Sequence, residues 1–231
     1  MKKNSKHPRS DVDQLLIQAV VLLQRQYFLA EHLVGTGSFT LANFEQSVAE
    51  GTQSIENVLG VFNYCWALVD QLDRYRKIAS VVPRLNQKGA EFRALEKALR
   101  PLTTIRNQFQ HIDNHVRNDN SGPLLGSVCW VNGKAQFIAS LPDLGPPRSV
   151  PGIFLDTKTG AFGHQFCYIY NDKYYDLGTA LDGMRSFQMY VDRLVQLSVD
   201  GNAFIQKDHF IAMRVEFKLG EQSEQSGSNS N

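Results

Sequence analysis

The amino-acid sequence predicts an α+β protein: a bundle of long helices with a small antiparallel β-sheet inserted or appended before the last helix. Three observations carry this. Apolar residues recur at helical spacing over about residues 10–118. The polar run Arg117-Asn118-Asp119-Asn120-Ser121-Gly122-Pro123 then terminates that pattern, and a strand–turn–strand signal centred on Asn132-Gly133 follows. Helical spacing returns from Thr179 onward.

Residues 1–9 are polar and are expected to be disordered. Ser10 can cap a first helix, with Asp13 as its capping-box partner, and Val12, Leu16, Ala19, Leu23, Ala30 and Leu33 form its apolar face. Gly35-Thr36-Gly37 is expected to stop it. A second helical stretch covers about 40–80, with a break expected near Gly51. Ile55, Val58, Leu59, Phe62, Trp66, Val69 and Leu72 make a wide apolar stripe in its later part, and Pro83 ends it. A third helix spans about 89–100. Pro101 either kinks it or opens a new helix, and Leu102, Ile105, Phe109 and Ile112 carry the apolar face on to about Val116.

A β-rich segment, 124–178, comes next. Ser127–Val131 and Lys134–Leu141 flank the type I′ turn signal Asn132-Gly133. Further strands are expected at about 152–156, 164–170 and 173–177, the last two joined at Asn171-Asp172. Residues 179–219 supply a helix, with Met184, Phe187, Tyr190, Val191, Leu194 and Leu197 on its apolar face. A final strand is expected at 210–217, and this region packs on the bundle or the sheet. The Ser/Gln/Glu/Gly/Asn tail, 220–231, has nothing to bury and is expected to be disordered. Whether the sheet is an insertion or a separate lobe is left open by this pattern.

Composition narrows the class. The chain has 231 residues, 42% hydrophobic and 20% charged, as in a globular protein with a sizeable core. Its formal net charge of +1 points to neither nucleic acid nor membrane. Cys65, Cys129 and Cys167 are odd in number, scattered, and form no CxxC pair, so they read as buried reduced thiols of a reducing, cytoplasmic compartment. The apolar run from Leu15 to Leu23, interrupted by Gln18, is too short for a membrane span and lacks the layout of a signal peptide.

Charge is segregated along the chain. Residues 11–73 are mostly acidic, with Asp11, Asp13, Glu31, Glu45, Glu50, Glu56, Asp70 and Asp73. Residues 74–106 are mostly basic, with Arg74, Arg76, Lys77, Arg84, Lys88, Arg93, Lys97, Arg100 and Arg106 opposed only by Glu91 and Glu96. Two readings follow. The basic stretch is a phosphate-binding surface, with Arg93, Lys97 and Arg100 as nucleic-acid contacts. Or the acidic and basic helices neutralise each other in the bundle.

The basic stretch leads into Arg106-Asn107-Gln108-Phe109-Gln110-His111. An arginine, a neighbouring polar residue and a histidine five positions after the arginine, late in a helix of a bundle, resemble the signature of HEPN domains. The matching positions are Arg106, Asn107 and His111, and the resemblance covers the helical part, about residues 10–118, with 179–199 as a further candidate stretch. It implies a metal-independent endoribonuclease of the kind found in toxin–antitoxin and phage-defence systems, or a member that has lost catalysis and binds a partner protein or nucleic acid. It further implies a homodimer whose two motifs meet in a shared cleft, with no cofactor, RNA as substrate, and an antitoxin or defence protein as partner.

The residue types suit that chemistry. A histidine near neutral pKa can take the 2′-hydroxyl proton or protonate the leaving oxygen, and an arginine presents a planar fork to phosphate. Asn107 can contact phosphate or orient His111. At about 100° per residue, Arg106 and His111 lie about 140° apart around a helix, whereas Asn107 and His111 share a face.

Other constellations are weaker. His111 and His115 have the i, i+4 spacing of metal ligands, but Ile112 stands where a zinc-protease helix needs glutamate. Gly35-Thr36-Gly37-Ser38 lacks the lysine of a phosphate loop. His164 lies among strands, with no nucleophile partner evident in the sequence.

Overall fold

The structure is a computed structural model. It describes residues 9–83, 85–110, 125–141, 152–153, 155–156, 158–170 and 173–198, and only the backbone of 9–13, 108–110 and 196–198. Three helices come first: α1 (Arg9–Glu50), α2 (Ile55–Val81) and α3 (Ala90–Gln110). Six strands follow: β1 (Ser127–Asn132), β2 (Ala135–Ser140), β3 (Leu155–Asp156), β4 (Ala161–Phe162), β5 (Phe166–Tyr170) and β6 (Lys173–Asp176). Helix α4 (Leu177–Ser198) closes the described chain. The expected α+β class is therefore what the chain adopts. The expected disordered termini, the helical continuation beyond Gln110 and the strand at 210–217 lie outside the described residues.

Both ends of α1 differ from the sequence reading, and Ser10, expected as its cap, lies within the helix. Gly35-Thr36-Gly37 does not stop the first helix, which runs unbroken for 42 residues. Thr36 and Ser38 turn their hydroxyls back onto helix carbonyls, Thr36 onto His32 at 3.1 Å and Ser38 onto Gly35 at 2.6 Å. Gly37 is there for contact: a Cβ on it would lie 2.1 Å from the ring of Tyr64 on α2. The true stop is Gly51, at φ +67°, where the bonds Thr52 N–H to Ser47 (2.9 Å) and Gly51 N–H to Val48 (3.3 Å) form a Schellman ending.

Ser54 caps α2, accepting from the Asn57 amide at 3.4 Å while Asn57 Oδ1 accepts from the Ser54 amide at 3.2 Å. Pro101 neither kinks α3 apart nor opens a new helix. It sits on the exposed side within one continuous helix.

The main sheet is antiparallel with strand order β2-β1-β5-β6, and β3 and β4 form a separate two-stranded ribbon. The predicted hairpin forms, but its two-residue turn is Gly133-Lys134 rather than Asn132-Gly133: Gly133 lies at φ +60°, and Asn132 already pairs with Ala135. Alternation along the strands separates two faces. Val128, Trp130, Tyr168 and Tyr170 pack into one core with Leu23 of α1, Phe62 and Leu68 of α2, Leu99 of α3 and Phe187 of α4. Sheet and helices thus share a continuous interior. The other face carries Cys129, Cys167 and Ile169, which pack with Ile153, Val131 and Phe162 in a smaller cluster.

Aromatic contacts fasten the layers. Phe166 stacks on Tyr64 at 5.9 Å, and Trp130 meets Phe44 edge-on at 5.2 Å while donating its indole N–H to Glu45 at 2.7 Å. All three cysteines are free thiols and buried. Among the described residues, no helix is long and apolar enough to cross a membrane.

Candidate functional site

Helix α3 carries the residues singled out from the sequence, and its periodicity sorts them onto two faces. At about 100° per residue, Arg93, Lys97, Arg100, Thr104 and Asn107 fall within an arc of about 80°. All five are exposed. Among the described residues, no carboxylate reaches ion-pair distance of Arg93, Lys97 or Arg100. Their opposite side is the core face, with Phe92, Leu95, Leu99 and Leu102 buried.

Glu96, Thr103 and Arg106 lie along a third line, where α3 meets α2. There Asp73 is the hub, with a side chain fully shielded from solvent. It is reached by Lys77 Nζ at 2.7 Å, Arg76 at 3.2 Å and the Thr103 hydroxyl at 2.9 Å. Arg76 continues to Glu96 at 3.0 Å and Thr103 at 3.2 Å. Burial pushes the Asp73 carboxyl up, but the hydrogen bonds from Lys77, Thr103 and Arg76 outweigh it and hold the group below the usual carboxylate range.

Arg106 belongs to this seam. Its Nε donates to Asp70 Oδ1 at 2.7 Å, and Nη1 stands 3.5 Å from Asp73 Oδ2. Its side chain is 19% exposed. Arg74 takes the other Asp70 oxygen at 2.7 Å. The structure therefore parts Arg106 from Asn107: the arginine faces α2 carboxylates, and the asparagine extends the basic stripe. His111 and His115 lie outside the described residues.

Neutralisation of acidic by basic residues accounts for only one face of the basic stretch. Arg74, Arg76, Lys77 and Arg106 are matched by Asp70, Asp73 and Glu96. Arg93, Lys97 and Arg100 are left to solvent.

Searches against family models, curated proteins and solved structures matched nothing. The chemistry must therefore be read from the residues themselves.

A second cluster, on the sheet, was not assembled by sequence reasoning. His164 has partners after all. Its Nδ1 is 2.8 Å from Asp176 Oδ2, and its ring stacks on Tyr174 at 5.9 Å. Register sets Cys167 of β5 opposite Asp176 of β6. One ligand atom from each of His164, Cys167 and Asp176 falls within 4.8 Å of the others.

Asp176 also caps α4, accepting from the Thr179 amide and hydroxyl at 2.8 Å each. Burial raises its carboxyl, but the Thr179 bonds and His164 prevail and leave it below its ordinary value. Burial, with the nearby Asp176 and Cys129, pushes the Cys167 thiol up to about 12. A thiol so protonated is no nucleophile.

Proposed function

We propose that this chain is a HEPN-like RNA-binding protein whose contact surface is the outer face of α3. The single observation supporting the reading is the stripe of Arg93, Lys97 and Arg100, continued by Thr104 and Asn107, exposed and unopposed by carboxylate among the described residues. From Arg93 to Asn107 the stripe is about 21 Å long at ~1.5 Å per residue. Guanidinium and ammonium groups along it suit successive phosphates, and the hydroxyl and amide at its far end add hydrogen-bonding groups.

Binding fits the geometry better than cleavage. A catalytic arginine must offer its fork to the phosphate, whereas the Arg106 guanidinium is already held by Asp70 and faces Asp73. The endoribonuclease form of this reading, with Arg106 and His111 catalytic and Asn107 assisting, would require RNA to displace the Asp70 carboxylate. A homodimer would bring a second stripe and a second Arg106–His111 segment alongside.

Anisotropy of a short fluorescent single-stranded RNA, titrated with protein across a salt series, tests the proposal. Three phosphate contacts give log K a slope of about −2 against log salt. Arg93→Glu with Lys97→Glu and Arg100→Glu should weaken binding at low salt at least about a hundredfold and flatten that slope. Binding that ignores the three substitutions, or no binding at low salt, overturns it. The same RNA incubated with protein in EDTA reads cleavage: fragments absent with His111→Ala would restore the catalytic form.

A further inference from the structure

We propose that His164, Cys167 and Asp176 form a binding site for a zinc-class divalent ion on the face of the sheet turned away from the helices. The inference is independent of the RNA reading, and it rests on convergence. One imidazole, one thiol and one carboxylate come from the approach to β5, from β5 itself and from the end of β6, and their ligand atoms gather within 4.8 Å. A four-coordinate zinc holds its ligand atoms about 3.5 Å apart, with bonds of about 2.0–2.3 Å. Small side-chain rotations therefore close the set, and the ion takes the place of the proton shared between His164 and Asp176.

The surroundings are those of a held site. Thr179 fixes both carboxylate oxygens of Asp176, and Tyr174 backs the His164 ring. Cys129, Ile153 and Ile169 make an apolar floor around Cys167. The fully buried thiol lies at the bottom, while the His164 and Asp176 side chains are 36% and 25% exposed. The fourth position thus opens toward solvent, as in sites that keep a water on the metal.

Electrostatics points the same way. Among the described residues, no lysine or arginine reaches ion-pair distance of Asp176, whose one partner of that kind is His164. A thiolate beside that carboxylate would be repelled, and a divalent cation reconciles the two. The mixed sulfur, nitrogen and oxygen donors favour zinc or cobalt over magnesium or calcium. Binding releases the Cys167 proton, so affinity should rise about tenfold per pH unit near neutrality.

Full-length, tag-free protein stripped with chelator and titrated with Co2+ tests the site. One equivalent should produce a thiolate-to-cobalt charge-transfer band, which Zn2+ displaces and Mg2+ or Ca2+ do not. Cys167→Ser should abolish the band, and Cys65→Ser, in the core on the opposite face of the sheet, should keep it. His164→Gln, at a partly exposed position that leaves the core intact, should weaken binding at least about tenfold. No band at one equivalent, or a band that survives both Cys167→Ser and His164→Gln, overturns the proposal.

Discussion

Asp73 and Asp176 are both half of a charged contact, yet their surroundings differ in kind. In the α2–α3 seam, Asp73 is wrapped by Lys77, Arg76 and Thr103, with Arg106 at 3.5 Å. At the β5–β6 edge, Asp176 meets one imidazole, the capping groups of Thr179 and a thiol across the register. The first carboxylate is neutralised by the chain's own cations. The second has one imidazole, an amide and a hydroxyl around it, with no lysine or arginine at ion-pair distance among the described residues, and remains able to take an external cation. Placement within a cluster of opposite charges is therefore a poor guide to function. What matters is whether the protein has already supplied the counter-charge.

The contrast can be broken most forcefully at the seam. Asp73→Ala removes the shielded hub that Arg76, Lys77 and Thr103 share, while Arg76 keeps Glu96 and Arg106 keeps Asp70, and should cost about 3 kcal/mol, read by urea denaturation. A loss below about 1 kcal/mol would mean the seam is solvated rather than shielded.

Acid sharpens the comparison. Both carboxyls titrate below their ordinary value in the folded state. The folded protein thus binds fewer protons than the unfolded chain, whose aspartates titrate near about 3.9. The stability these groups contribute is present above that value and disappears as pH falls through the folded pKa. Melting temperature followed from neutral to acid should therefore drop below about pH 4. Asp73→Asn should shrink that drop more than Asp176→Asn, because Asp73 is fully shielded and has more cationic partners. Equal effects would erase the distinction.

The smallest expected change is at the solvent end of the seam. The Arg74 side chain is 57% exposed, so Arg74→Ala should alter unfolding free energy by less than about 0.5 kcal/mol, despite its 2.7 Å contact with Asp70.

These cases also show what the sequence made legible. The first hairpin was readable because Asn132-Gly133 marks a turn locally, although the turn settles one residue later, on Gly133-Lys134, so that Asn132 pairs with Ala135. The length of α1 was not, because Gly35 and Gly37 carry a stop signal whose override lies on another helix, in the ring of Tyr64. The role of Arg106 was hidden for the same reason. Its partners Asp70 and Asp73 stand on a different helix, and no spacing within Arg106–His111 reveals them. The sheet cluster was within reach only in part. With the strands joined at Asn171-Asp172, counting back along the ladder pairs Tyr170 with Lys173 and hence Cys167 with Asp176. His164, three residues before that cysteine, would fall on the opposite face of a strand running from 164, and it reaches the cluster only because β5 begins at Phe166.

The close passage of Gly37 beneath Tyr64 has an evolutionary corollary. A single inserted or deleted codon upstream within α1 would rotate everything after it by about 100° against everything before. The bare glycine surface would swing away, and a side chain would be driven into the ring that stacks on Phe166. Point substitutions on the exposed side of this helix leave that contact intact, whereas any change of length before Gly37 breaks it.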